Sequence, residues 1–146
     1  MQTKSIIISA ILALSTFTAA GPQGGASTPT FYYRMMDPLP NDRCPNVQRA
    51  NVEFKDAYTS CGKLLKDVGK YGVAIKDGGS HCGSKISVRS DSGKEIELTV
   101  VDTCPGCAGD NHLDMSLDAL VELFDGDATK ACGIDRTVPP VTWTFK

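Results

Sequence analysis

Apolar and polar residues alternate through the stretch from Glu95 to Val100. Ile96, Leu98 and Val100 are separated by polar residues, and this period of two predicts a strand with one buried face. The tight turn Asp-Ser-Gly at 91–93 precedes it. Further apolar stretches of strand length are PTFYYRM (29–35), YGVAIK (71–76), KISVRS (85–90) and PPVTWTFK (139–146). With about six strands and no internal repeat, the pattern favours a small β-barrel or sandwich.

The segment SLDALVELF at 116–124 is the one stretch with the period of a helix. Ser116 is a suitable N-cap, and Asp118 lies in the first turn, where the helix dipole favours negative charge. Gly126 follows the expected end. The apolar residues of this segment lie on one face: Leu117, Leu120, Val121 and Phe124.

The first 20 residues have the pattern of a secretory signal peptide. Lys4 precedes an apolar stretch at 6–14, and small residues ending in Ala20 follow. A membrane anchor is the alternative, but the apolar stretch is too short to span a bilayer. We therefore expect cleavage after Ala20 and a secreted protein without membrane association. A flexible lead-in is predicted at 21–28 and a single domain at 29–146.

The charge balance argues against one class of partner. Lys and Arg together number 15 and Asp and Glu 17, which gives a formal net charge of −2. No long run of one sign occurs. Because a nucleic-acid-binding protein needs a basic face, we expect no nucleic-acid partner.

An even number of cysteines in a small secreted chain predicts disulfides, and spacing alone leaves the pairing open. Two alternatives apply to Cys104-Pro-Gly-Cys107. A redox dithiol normally opens a helix, whereas here eight residues separate Cys107 from the predicted helix at Ser116. A zinc site would need free thiolates in an oxidising compartment, so we expect neither metal nor cofactor. The six cysteines are Cys44, Cys61, Cys82, Cys104, Cys107 and Cys132.

Several motifs resemble those of one fold family. They are VVDTCPGC (100–107), HLDMS (112–116), HCG (81–83), SCG (60–62) and VTWTF (141–145). Taken in their order along the chain, they are similar to the double-psi β-barrel domain of expansins, loosenins, rare-lipoprotein-A-like proteins, barwin-like proteins and family-45 endoglucanases. The resemblance covers about residues 29–146, and the small single-domain fungal members are the most similar type. It implies a mainly β fold, a six-stranded double-psi β-barrel with one short helix, stapled by disulfides.

The resemblance also implies roles for individual residues. Small fungal members carry four cysteines that match Cys61, Cys82, Cys104 and Cys107. The extra pair, Cys44 and Cys132, is then expected to form its own bond. Thr30, Asp102, His112 and Asp114 match polar positions that line one end of an open polysaccharide groove.

Aromatic residues are candidates for stacking on sugar faces: Tyr32, Tyr33 and Tyr71. Since neighbours on a strand face opposite sides, one of the adjacent pair is alternatively a core residue. Trp143 is expected in the core. For His81 and His112, the alternative to a binding role is a hydrogen bond that orders a loop. For Asp102 and Asp114, the alternative is a structural role in which they accept hydrogen bonds from loop amides.

Catalysis by inverting hydrolysis needs a carboxylic acid and a carboxylate base. Asp114 resembles the acid of the family-45 endoglucanases, and a neighbouring Asp102 would raise its pKa. The position of their base is occupied by Arg34, whose guanidinium cannot accept a proton. The nearest carboxylate, Asp37, lies three residues further on. The resemblance therefore implies binding of polysaccharide without cleavage.

Three functions compete on this basis. The first is a monomeric, secreted cell-wall protein of expansin or loosenin type that binds cellulose, chitin or peptidoglycan. The second is a protein-binding module, a cysteine-protease inhibitor or effector. It is favoured by the extra cysteine pair, by the long loop at 37–60 and by the end of the chain at Lys146, without the second domain of expansins. The third is a glycan hydrolase or lytic transglycosylase.

Overall fold

One mixed β-sheet carries most of the fold. The computed structural model describes residues 24–35, 44, 47, 49–50, 52–133 and 138–146, so the predicted signal peptide lies outside the described residues. Within the described part, seven strands pair in the order β1-β7-β4-β5-β3-β6-β2. They are β1 (Gly25–Ser27), β2 (Thr30–Tyr33), β3 (Gly72–Ile75), β4 (Lys85–Arg89), β5 (Glu95–Thr103), β6 (Asp114–Ser116) and β7 (Val141–Phe145).

β5, the strand predicted from alternation, lies at the centre of the sheet. Ile96 and Leu98 are buried, while Glu95 and Glu97 are exposed. β4 and β5 form an antiparallel hairpin around the predicted turn at 91–93. The strand and its turn are thus confirmed.

The described residues form seven strands, where six were expected. β1 forms within the predicted lead-in, ahead of the predicted first strand. β1 pairs antiparallel with β7, whereas β2 pairs parallel with β6. Pro29 lies between them and cannot donate a backbone hydrogen bond. β1 also corrects the predicted lead-in, since Gly25–Ser27 is held by the ladder to β7. The two edges of the sheet are consecutive in the chain, so the sheet curls into a half-barrel.

Short helices cover the sheet. They are α1 (Leu65–Val68), α2 (Leu117–Leu123) and α3 (Ala128–Cys132), with a 3₁₀ turn at Gly78–His81. α2 is the predicted helix, and the Ser116 side chain caps it by accepting from the Ala119 amide. α1 and α3 were not predicted, because four or five residues are too few to show a helical period. No helix within the described residues is long and apolar enough to cross a membrane.

The apolar faces of the sheet and of α2 form the main core. Trp143 is buried as predicted, and its indole N–H donates to the carbonyl of Asn111 at 2.8 Å. Other fully buried side chains are Ile75, Ile86, Leu98, Leu113, Met115, Leu117, Leu120 and Leu123.

All six cysteines form disulfides: Cys44–Cys132, Cys61–Cys82 and Cys104–Cys107. The predicted Cys44–Cys132 pair is therefore confirmed. Every cysteine sulfur is bonded to another cysteine. Three disulfides are consistent with an oxidising, extracellular compartment.

Candidate functional site

Three of the predicted polar residues lie in one row across the sheet. Thr30 on β2 is paired with Asp114 on β6, and Asp114 is paired with Ala74 on β3. On its other side Ala74 is paired with Asp102 on β5. Two strand spacings, or about 10 Å, therefore separate the two aspartates along the row.

A β-bulge determines where Asp102 points. Strict alternation from Ile96 and Leu98 through Val100 would turn Asp102 into the core. The register between β3 and β5 shifts at this point, so that Val101 is an extra residue. Val100 and Val101 are both buried, and Asp102 is only partly buried. The bulge thus directs the carboxylate out of the core, a role that bulges often have beside functional sites.

Thr30 connects two members of the site. Its hydroxyl donates to Oδ1 of Asp114 at 2.7 Å and lies 2.9 Å from Nε2 of His112. A hydroxyl has one proton, so donation to Asp114 leaves the Thr30 oxygen to accept from the Nε2–H tautomer of His112. The three residues form a directed chain of hydrogen bonds that ends on a carboxylate.

The surroundings of Asp114 disfavour its charged form. Burial raises the pKa of Asp114 above its ordinary value, and the charge of Asp102 adds to this rise. The hydrogen bond from Thr30 and the proximity of His112 act in the opposite direction. Asp114 therefore keeps its proton to a higher pH than an exposed aspartate.

Asp102 is held differently, by backbone amides. Its Oδ1 accepts from the amides of Ser60 and Thr103, both at 2.8 Å. Ser60 Oγ also lies 2.9 Å from Thr103 Oγ1. The carboxylate thus anchors the loop that contains Ser60, as one alternative from the sequence proposed, and its Oδ2 is not used in these bonds.

The 3₁₀ turn packs tightly against the same end of β5. A Cβ on Gly78 would lie 1.8 Å from the carbonyl oxygen of Asp102, so only glycine allows this approach. The amide of Gly79 donates to Thr103 Oγ1 at 2.8 Å. Sequence reasoning missed Ser60, Thr103 and Gly79 as members of the site. The adjacency of Thr103 to Asp102 and the SCG motif were the available signals.

The structure separates the three candidate tyrosines. Tyr33 is fully buried and its hydroxyl donates to the carbonyl of Gly69 at 2.7 Å, so its predicted stacking role is corrected to a core role. Tyr71 lies at the opposite end of β3 from Ala74. Its hydroxyl donates to Glu122, so it does not join the row.

Tyr32 is the tyrosine that stays near the row. The register between β2 and β6 shifts around it. Its hydroxyl is buried and has no hydrogen-bond partner among the described residues. Burial raises the pKa of Tyr32 far above its usual value, and the neighbouring Tyr33 and the charges of Asp102 and Asp114 add to this. Tyr32 thus carries a buried hydroxyl on β2, the strand that pairs with the strand of Asp114.

The remaining positions considered in the sequence are His81, Arg34 and Asp37. His81 ends the 3₁₀ turn, and the centre of its ring lies 4.8 Å from that of Phe145 at the end of β7. Arg34 follows β2 and forms a backbone bridge with Arg49. Asp37 lies outside the described residues.

An open cavity extends the row beyond Thr30. It has a volume of about 570 Å³ and is lined by residues 26–28, 30 and 108–112. Its lining combines three small residues, Ala26, Ala108 and Gly109, with polar residues. The polar residues are Ser27, Thr28, Thr30, Asp110, Asn111 and His112. The row of polar residues therefore continues into a surface groove rather than a closed pocket.

Neither a protein-family model nor a curated protein matches the sequence. Among solved structures, the chain is similar to an apo expansin from Clavibacter michiganensis, with 20% identity and a TM-score of 0.51. That match covers 85% of this chain and 50% of the expansin. A mutant Clavibacter michiganensis expansin in complex with cellohexaose matches at 19% identity and a TM-score of 0.50, with 85% and 50% covered.

The chain is also similar to a Streptomyces papain inhibitor, with 22% identity and a TM-score of 0.50. This match covers 84% of the chain and 91% of the inhibitor. By contrast, the chain spans about half the length of the expansins that it matches. At these identities the similarities establish a shared fold.

Proposed function

We propose that this protein is a secreted, non-hydrolytic protein that binds cell-wall polysaccharide of the cellulose, chitin or peptidoglycan class. One observation carries the proposal: Thr30, Asp114 and Asp102 form a polar row across four adjacent strands, open to a surface groove. Carboxylates and hydroxyls in such a row suit the many hydroxyl groups of a sugar chain, because they accept and donate hydrogen bonds along its length.

The hydrogen bonds that fix the carboxyl groups of the row favour ligand binding. Asp114 is oriented by Thr30, and Asp102 by two amides. Groups that are already fixed lose little conformational freedom when a ligand arrives. The fold shared with an expansin solved in complex with cellohexaose supports the same ligand class.

The chemistry of the row does not favour hydrolysis. Asp114 has the raised pKa of an acid. The position of the family base is Arg34, and Oδ1 of Asp102 is occupied by two amide donors. We therefore expect no release of reducing ends from soluble glycans.

Binding to insoluble cellulose, chitin and peptidoglycan tests the proposal, with Asp114→Asn as the site variant. Loss of a hydrogen bond to a charged group predicts roughly tenfold weaker binding. Asp125→Asn is a matched control, because Asp125 is an exposed aspartate paired with Lys94 at 3.2 Å. No binding by the natural protein, or equal binding by all three proteins, would refute the proposal.

Inhibition of a cysteine protease is the second candidate function. This function is favoured because the structural match extends over 91% of the Streptomyces papain inhibitor. A papain assay separates the two candidates. Inhibition that Asp114→Asn leaves unchanged, without glycan binding, would favour the inhibitor.

A further inference from the structure

Tyr58 is an aromatic residue that the sequence analysis did not consider. Its side chain is 71% exposed, the largest exposed fraction among the large hydrophobic side chains described. An exposed aromatic ring loses contact with water when it meets a flat apolar surface. Tyr58 lies in the same loop as Ser60, whose amide donates to Asp102.

The loop around Tyr58, residues 57–65, is tightly held. Tyr58 forms a bridge with Leu64, and the amide of Leu65 donates to Ala57 O at 2.8 Å. Thr59 accepts from Gly62 at 2.9 Å and donates to Lys63 O at 2.8 Å. The Cys61–Cys82 disulfide joins the loop to the region of the 3₁₀ turn. The ring of Tyr58 is therefore presented by a rigid support.

This loop is also continuous with the polar row. Ser60, two residues after Tyr58, donates its amide to Asp102 at 2.8 Å. Tyr58 and Ser60 are exposed while Thr59 between them is buried. Because the side between them is the buried one, Tyr58 and Ser60 are both exposed on the outer side of this loop. That side lies at the Asp102 end of the row, opposite the cavity next to Thr30.

We propose that Tyr58 is a stacking platform for a sugar ring at the Asp102 end of the groove. The ligand class is a β-1,4-linked chain of pyranoses with equatorial substituents, whose ring faces carry only C–H groups and match a flat aromatic surface. The row contacts the middle of the chain, and Tyr58 contacts a unit further along. This inference rests on the function proposed above and adds an outer subsite to it.

Calorimetric titration of the full chain with sugars of two lengths tests the inference. The long probes are cellohexaose and chitohexaose, and the short probes are the corresponding disaccharides. Tyr58→Ala is expected to weaken hexasaccharide binding about two- to tenfold and to leave disaccharide binding unchanged. Tyr58→Phe keeps the ring and is expected to bind both as the natural protein does.

Two controls separate this role from a structural one. Val52→Ala removes another exposed apolar side chain, which is 46% exposed, and is expected to change neither affinity. Thermal unfolding of Tyr58→Ala is expected to match the natural protein, because an exposed ring contributes little to the core. A fall in both affinities together with a lower Tm would overturn the inference.

The remaining outcomes are also decisive. If hexasaccharide binding depends on Asp114 but is indifferent to Tyr58→Ala, the inference is wrong and the proposed function stands. If the natural protein binds neither hexasaccharide, the inference is wrong, and binding to the three insoluble polysaccharides decides the proposed function separately. A length-dependent loss restored by Tyr58→Phe supports both.

Discussion

At the scale of single residues, two aspartates in one row have different roles. Asp114 is partly buried and held by one hydroxyl, whereas Asp102 accepts two backbone amides. Both were found in the sequence from motifs. Their different environments depend on Thr30 and Ser60, which lie far from them along the chain.

Asp114→Asn is expected to stabilise the protein near neutral pH. Because burial raises the folded-state pKa of Asp114, ionisation opposes folding. This cost is absent well below the ordinary aspartate pKa of about 3.9, grows as the pH rises through it, and is complete above the folded-state pKa. Asparagine never ionises, so its Tm is expected to be a few degrees higher at neutral pH and equal to that of the natural protein in strong acid.

Thermal unfolding at neutral pH and in strong acid, monitored by circular dichroism, measures the difference in Tm between Asp114→Asn and the natural protein. Asp125→Asn is measured in parallel as the control, because it makes the same substitution at an exposed position. A lower Tm for Asp114→Asn at neutral pH would show that the hydrogen bond from Thr30 outweighs the burial.

At the scale of elements, caps and bulges position the row. α2 begins directly after β6, so Ser116 both ends the strand that carries Asp114 and caps the helix. The cap was predictable, because it depends on a serine before a helical period. The bulge at Val101 was not, because it arises from the pairing of β5 with β3.

Ser116→Ala is expected to lower the free energy of unfolding by about 1–2 kcal/mol. The residue is fully buried, and its hydroxyl both accepts from Ala119 and bonds to the carbonyl of Lys70. Asp127→Ala removes the exposed cap of α3 and is expected to cost less, about 0.5–1 kcal/mol. Urea denaturation measures both, and an equal cost for the two variants would contradict the role of Ser116 burial.

At the scale of the whole molecule, a curled sheet and three disulfides hold the site. Cys61–Cys82 lies beside the loop anchored by Asp102, and Cys104–Cys107 closes the segment directly after β5. Cys44–Cys132 joins the end of α3 to a residue 88 positions earlier. The disulfides therefore differ mainly in how much of the unfolded chain each one restricts.

Replacing each pair by serines is expected to destabilise the protein in the order of loop length. The sequence separations are 88, 21 and 3 residues. Chain-entropy arguments give losses of about 4–5, 3 and 1–2 kcal/mol respectively. Urea denaturation of the three double variants checks this order. A loss for the Cys104–Cys107 pair as large as that for Cys44–Cys132 would contradict an entropic origin.

The sequence by itself determined the features that depend on neighbouring residues. Period-two alternation identified β5, and a serine before apolar residues at helical spacing identified α2. These features are local because each is a property of a few consecutive positions.

Only the tertiary structure decided the features that depend on distant pairing. It added the strand β1 before Pro29, turned Asp102 out of the core, buried Tyr33 and moved Tyr71 away from the row. It also joined Ser60 to Asp102 and left Tyr58 exposed beside them. Register and bulges are set by which strands meet across the sheet, and no short window of sequence contains both partners.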